Sequence, residues 1–215
     1  MSHPYLVEES SLVELAPNLE RLVMSLDNNA NHHDYLVAVV IVVLAETGFF
    51  ITPEDDQEGW RISSLYIPRN WKSNGIYQFT LRYNISREIV CKLVGVPTGD
   101  TMILNLCNGS TRCIVFQTLK YINPHSSDIS GRFWNLKEFS FRLKNELLTP
   151  LRVELLTKFG LPSPSLHGLP EELKIHIFRR LDPKSRRNLS LCCQQYSEIN
   201  LESRGHSVRI HGRSW

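Results

Sequence analysis

The sequence predicts an α+β fold: a central antiparallel sheet flanked by helices, followed by a small all-α module. Three observations lead there. Four segments between residues 76 and 119 alternate apolar and polar side chains and are joined by turn sequences. Apolar runs at helical spacing flank them on both sides. A polar, proline-bearing stretch, "PSPSLHG", then sets off one last pair of amphipathic runs.

Residues 1–16 are polar and acidic and are expected to be loosely ordered. From Pro17 the run "PNLERLVMSL" places Leu19, Leu22, Val23 and Leu26 on one helical face, with proline at the first helical position, where an N–H would be unpaired anyway. "DNNANHH" reads as a loop. Asp34 is the expected N-cap of a helix over residues 35–46, and Gly48 is its expected stop. The valines and isoleucines of "YLVAVVIVVLA" favour a strand, but length and caps favour a helix buried on most sides, and the helix is preferred.

"TPEDDQEGW" is a loop. Alternating segments follow at 76–83, 88–95, 101–107 and 112–119, with "NIS", "PTGD" and "NGS" between them. Asn108-Gly109 between two such runs is a strong hairpin signal, so the segments read as an antiparallel meander. "NPHSSDISG" breaks the pattern. Phe133, Leu136, Phe139, Leu143 and Leu147 then recur three or four residues apart, as on an amphipathic helix. Pro150 should interrupt it, residues 151–159 should continue it, and Gly160-Leu161-Pro162 should end it.

At 215 residues, with 42% hydrophobic and 21% charged side chains, the chain has the composition of a folded protein. A formal charge of +2 is too balanced to indicate nucleic-acid binding. The longest apolar run is about half the ~20 residues that a membrane span needs. The opening shows no basic segment leading into a long apolar core, and the five cysteines contain no C-x-x-C pair. Free thiols and a cytoplasmic or nuclear location are expected, which leaves the N-x-S sequons at Asn84, Asn108 and Asn188 silent.

No nucleotide-binding, nucleophile-elbow or zinc-protease pattern appears, and no cofactor, metal or enzymatic activity is expected. His32-His33-Asp34 lacks ligands at zinc spacing, and adjacent histidines should point apart on a helix. Trp71 and Tyr77 are expected to be core aromatics. Lys174, Arg179, Arg180, Lys184, Arg186 and Arg187 form a basic cluster without interleaved aromatics, which favours a solvated face over nucleic acid. Cys193 is expected to act as a small apolar residue.

Residues from about 19 to 162 resemble the FP domain, a module shared by certain F-box proteins and a proteasome inhibitor. The resemblance rests on "LERL", "LAETGF", "IPRNWKSNGIYQFTLRY", "VGVPTGDTMILNL" and "FSFRLKNELLTPLRVEL", and above all on the spacing of Pro68, Trp71, Gly75 and Tyr77. It implies helices packed on an antiparallel sheet and used for dimerisation. The later stretch "LPEELKIHIFRRLDPKSRRNLSLCCQQY" is similar to the F-box, with Leu169, Pro170, Leu173, Ile177, Phe178, Leu181, Leu189 and Cys193 at that pattern's apolar positions. In that family these positions pack against the adaptor Skp1, which links the F-box to a cullin-based ubiquitin ligase. A module of about 40 residues is also too small to bury a good core unaided.

Two departures stand out. Arg186 occupies a usually apolar position, so leucine there should bind Skp1 more tightly. The stretch after Tyr196 is polar and basic. The expected organisation is a flexible N-terminus (1–16), an FP domain (17–162), a linker (163–168), an F-box divergent at its C-terminal end (169–200) and a basic tail (201–215). The resemblance implies a non-catalytic substrate receptor or scaffold of a Skp1–cullin–F-box ligase. It would pair through its FP domain with itself or with the proteasome inhibitor's FP domain, and would hold an unknown client. The alternative is a proteasome regulator with a vestigial F-box.

Overall fold

The apolar run at residues 35–45 folds as a helix, α2 (His32–Glu46), in which every residue from Leu36 to Leu44 is buried. The computed structural model describes residues 5–27, 29–52, 65–84, 86–161, 166, 169–192 and 196–197, the side chains of 86–89 excepted. Burial on all sides removes the need for an amphipathic pattern in α2, and its start is fixed by a cap. Asn31 Oδ1 accepts from the N–H groups of His33 (2.9 Å) and Asp34 (3.1 Å), and the Asp34 carboxylate accepts from the Asn31 N–H (2.7 Å). The cap is therefore Asn31 and not Asp34, which sits at the third helical position. His32 and His33 belong to the helix and not to the preceding loop.

The chain divides into two units, Met1–Leu155 and Leu156–Trp215. The first is built on a sheet of β1 (Phe49–Ile51), β2 (Lys72–Ser73), β3 (Ile76–Tyr83), β4 (Ser86–Thr98), β5 (Thr101–Asn108) and β6 (Ser110–Gln117). The strands run in the order β1-β3-β4-β5-β6, all antiparallel, with β2 paired to β3. The four meander strands were legible as alternation. β1 and β2, three and two residues long, are too short to show a period.

One face of the sheet is the core. Tyr77, Phe79, Leu81 and Tyr83 of β3 are buried together with Leu93, Met102, Leu104, Leu106, Ile114 and Phe116 from the next three strands. Burial of each such side chain is worth roughly 1.5–3 kcal/mol. Gly95 pairs with Tyr77 on this face, and a Cβ there would lie 3.3 Å from atoms of Tyr77, Met102 and Leu104, so the sheet's closest packing excludes a side chain.

Covering that core are α2 and a second helical rod: α3 (Leu136–Arg142), a π-helical stretch (Leu143–Leu148) and α4 (Thr149–Lys158). The π-helical stretch packs on β6 and α2. Pro150 does not break the rod as expected. The wider turn before it shifts the hydrogen-bond ladder, and the proline falls in the first turn of α4, where its missing N–H leaves no acceptor stranded. Phe133, assigned to this helix from its spacing, instead precedes it in an isolated bridge with Ile122. Helix α4 ends on Gly160 (φ +65°), whose N–H bonds to Thr157 O while the Leu161 N–H reaches Leu156 O, the arrangement a left-handed glycine permits.

Helix α1 (Pro17–Met24) starts at its proline and buries Leu19, Leu22 and Val23, as its spacing predicts. Residues 5–16 make specific contacts with the rest of the unit. Val7, Leu15 and Ala16 are buried, and Glu8 accepts from Ser140 Oγ and Lys144 Nζ, both at 3.0 Å. Glu46 takes the Val7 N–H (2.8 Å) and a second contact from Lys144 (2.9 Å). The carboxylates that made this segment look solvated are thus used to tie it down.

Candidate functional site

In the second unit, helix α5 (Glu171–Arg180) starts after Pro170, carries Glu171 and Glu172 in its first turn and Arg179 and Arg180 in its last. Both pairs complement the helix dipole. Leu181 is extended (φ −74°, ψ 149°) and ends it. Asp182 then opens α6 (Pro183–Cys192): its Oδ1 accepts from the N–H groups of Lys184 (3.0 Å) and Ser185 (3.1 Å), with Pro183 at the first helical position. The Ser185 hydroxyl first, and then these backbone N–H groups, hold the Asp182 carboxyl below its ordinary range.

Arg186 has a structural partner. Its Nε donates to Leu181 O at 2.8 Å, satisfying a carbonyl at the end of α5 from within α6. Sequence reasoning treated this residue as a misplaced charge on an apolar surface. The guanidinium is instead half-buried as a tie across the α5–α6 turn. Lys174, assigned to a solvated basic face, is buried on α5.

The eight positions read as partner-binding do not form one face. Phe178 is fully buried with Tyr196 in the unit's own small core, and Leu189, Leu166 and Ile175 pack against that pair. Leu173 is 49% exposed, Pro170 is exposed, and Leu169, Ile177 and Leu181 are half-buried. Cys193 lies outside the described residues. At 100° per residue, Lys174, Ile175 and Phe178 share the inward side of α5, while Leu173 and Ile177 (i, i+4) form a second stripe turned away from it. Leu191 on α6, 78% exposed, is a further exposed apolar side chain of the unit and was not singled out in the sequence. Its signal was present: it lies about 200° around the helix from the inward Leu189.

The first unit carries a second candidate surface. The sheet face opposite the core presents Val90 and Val115, both more than two-fifths exposed, with Val94, Val96 and Ile103 half-buried among them. Ile103 pairs across to both Val96 and Val115, so these three side chains form an apolar row across β4, β5 and β6. At its rim stand the thiols Cys107 and Cys113.

Of the histidine pair at the start of α2, His33 has a structural role. His33 Nε2 lies 2.9 Å from Gly99 O and its Nδ1 2.9 Å from Thr118 Oγ1, which ties α2 to the β4–β5 turn and the end of β6. Burial pushes the His33 pKa down. The two imidazoles do not point apart but lie with centroids 4.0 Å apart. Asp34 accepts from Tyr77 Oη (2.7 Å) and Lys72 Nζ (2.8 Å); Tyr77 is a core residue, and Trp71, half-buried, packs 5.3 Å from its ring. Among the described residues no three His, Cys, Asp or Glu side chains stand together as a metal site, and no helix is long and apolar enough to cross a membrane.

A helical pair with its own aromatic core and an outward leucine–isoleucine stripe, written in the L-P-x-E-L and I-F-x-x-L-D pattern, defines the class: residues 166–199 match the F-box domain, so this is an F-box-containing chain. The chain is homologous to F-box only protein 7 and to protein nutcracker. It is 27% identical to human F-box only protein 7 over 240 residues, covering 100% of this chain and 44% of that protein. For the Bos taurus protein of the same name the values are 26% over 205 residues, 90% and 38%. Protein nutcracker of Drosophila melanogaster is 33% identical over 108 residues, 46% of this chain and 34% of that protein. The chain spans less than half the length of each of these relatives.

Proposed function

We propose that this chain is a non-catalytic substrate-receptor or scaffold subunit of a Skp1–cullin–F-box ubiquitin ligase, with Skp1 docked on the second unit. The observation that carries this reading is the division of apolar residues on α5. Phe178 fills the unit's own core, whereas Leu173 and Ile177 remain available on another face. A unit this small that leaves leucines in water is built to be completed by a partner. The match to the F-box names the kind of partner. Titration calorimetry of the chain into purified Skp1 tests it: a complex in the micromolar range or tighter is expected, and no heat at tens of micromolar on either component would refute it.

The first unit, read as an FP domain, serves in this proposal as the dimerisation end, pairing with a second copy or with a proteasome inhibitor's FP domain. Support comes from the Val96–Ile103–Val115 row on the sheet face opposite the core and from the position of β6 at the end of the strand order. That row also favours the second reading, a proteasome regulator whose F-box is vestigial, should Skp1 not bind. Sedimentation of the full chain and of Val115→Lys separates these ideas. Self-association weakened by the lysine supports pairing through the sheet, and a strict monomer, alone and mixed with the inhibitor's FP domain, opposes it.

A further inference from the structure

The outer edge of β3 is paired at its two ends only. Residues 81–83 pair with β1 and residues 76–77 with β2, so the stretch from Gln78 to Thr80 falls between two short strands. A backbone bond marks each side of the gap: the Thr52 N–H donates to Thr80 O at 2.8 Å, and the Gln78 N–H to Trp71 O at 3.0 Å. Where the ladder is interrupted, a cavity of about 310 Å³ opens, lined by β3, β4, the end of β1 and the loop that carries Pro68. That is the lower end of the range of ligand sites, with room for one side chain or a small molecule.

The register of the sheet decides which polar groups face this space. Thr52 is bonded to Thr80, and Thr80 is the cross-strand partner of Lys92, so the three side chains stand in one row on the side opposite the core. Gln78 and its partner Val94 form the next row. Two observations mark the first row as incomplete. Thr52 Oγ1 is buried without a hydrogen-bond partner among the described residues, an uncommon state for a hydroxyl. Lys72, Lys120 and Lys144 each hold a carboxylate, whereas the exposed Lys92 makes no ion pair among the described residues. The surrounding surface supplies no acid either: among the described residues, the charged side chains on this side of β3 to β6 are Arg82 and Lys92.

We propose that the gap is a carboxylate-binding site, in which one carboxylate accepts from the hydroxyls of Thr52 and Thr80 and from the Lys92 ammonium, while its aliphatic stem lies between Pro68 and Val94. The donors set the class of ligand. One ammonium and neutral hydroxyls match a monoanion, whereas a phosphate monoester carries about −1.5 to −2 charges and is typically met by arginine clusters. A glutamate side chain on an extended peptide and a free aliphatic acid present the same group. The inference needs neither adaptor binding nor pairing through the sheet.

Amide NMR spectra of the isotope-labelled full chain, titrated with glutarate and with a capped Gly-Glu-Gly peptide, read the site. Shifts should concentrate at Thr52, Gln78, Thr80 and Lys92 and saturate in the millimolar range. Lys92→Gln should weaken the tighter probe by ~10-fold or more, the worth of a hydrogen bond to a charged group. Thr52→Val should weaken it by ~3-fold or more and leave the melting temperature unchanged or higher, because the fold itself does not use that hydroxyl. Tighter binding of the peptide supports the site with a protein as the source of the carboxylate, and tighter binding of glutarate supports it with a free acid. A lowered melting temperature of Thr52→Val overturns the reasoning, as does inorganic phosphate that binds more tightly than either acid. If the probes bind only after Glu54, Asp55, Asp56 and Glu58 are all changed to Gln, the chain's own carboxylates compete for the gap and an external ligand is refuted. No shift at these amides with either probe at tens of millimolar refutes the site itself.

Discussion

Two truncations five residues apart on α5 should have opposite consequences. Phe178→Ala removes a ring that is fully buried against Tyr196, Leu189 and Ile175, a change that costs about 3–5 kcal/mol in a core. A helical unit this small rarely has more than ~3–5 kcal/mol in total, so the variant should lose the fold of α5–α6 and with it all partner binding. Leu173, 49% exposed, contributes little to that core, and its replacement by alanine should shift stability by no more than ~0.5 kcal/mol. In the proposed complex it should count for more. Covering what remains of Leu173 and Ile177 should withdraw from water about half of two side chains worth roughly 1.5–3 kcal/mol each. Leu173→Ala with Ile177→Ala should therefore cost about 2–3 kcal/mol of binding, roughly a 30- to 150-fold rise in Kd. Thermal melts by circular dichroism, paired with calorimetry against Skp1, separate the two effects. A double variant with unchanged melting and unchanged affinity would refute the assignment of the stripe, and a cooperative wild-type melt of Phe178→Ala would refute the internal core.

Three further tests address the frame that presents these surfaces. Arg186→Leu removes the Nε bond to Leu181 O, so it should lower the stability of the α5–α6 pair by about 1 kcal/mol and weaken Skp1 binding; tighter binding would restore the view that the charge is misplaced. His33 has a folded pKa below its unfolded value of about 6.5, so the stability it contributes is present above that pH and is lost as pH falls toward the folded value. Melting temperature should accordingly drop between about pH 7.5 and pH 5.5, and His33→Gln should flatten the drop; an unaltered slope would exclude His33 as its source. Gly95→Ala places a methyl 3.3 Å from Tyr77, Met102 and Leu104 and should cost about 1–3 kcal/mol, read as a shift in the denaturant midpoint; no shift would mean that the sheet yields there.

What could be read from the sequence followed the length of its signals. Strands β3 to β6 are eight residues or longer and alternate, so the meander was legible in the sequence. β1 and β2 were invisible because two or three residues carry no period. Helix α2 was harder: its β-branched interior contradicts helix propensity, and only its ends spoke for a helix. Even there the cap was misplaced, because Asn31 and Asp34 are both good cap residues and a capping box uses the two together. The N-terminal strap was missed for a different reason. Glu8 and Glu46 look like solvated acids until Lys144 is brought between them from a distant part of the chain, which no local pattern encodes.

The F-box shows the deeper limit. Its apolar positions form one list in sequence, yet they serve two purposes, and the list cannot say which residue serves which. Helical phase can. Phe178 and Ile175 point where Tyr196 and Leu189 close over them, while Leu173 and Ile177, a hundred degrees or more around α5, are left outside. The same division explains Arg186. A unit that leaves Leu173 and Ile177 outside its core has less apolar surface with which to hold its own two helices together. A charged hydrogen bond across the turn, from Arg186 to Leu181 O, supplies the missing constraint without covering the outward stripe. A leucine at position 186 would add apolar surface and remove the brace. The departure from the usual pattern is therefore compatible with a working binding surface, and what it changes is how that surface is held in place.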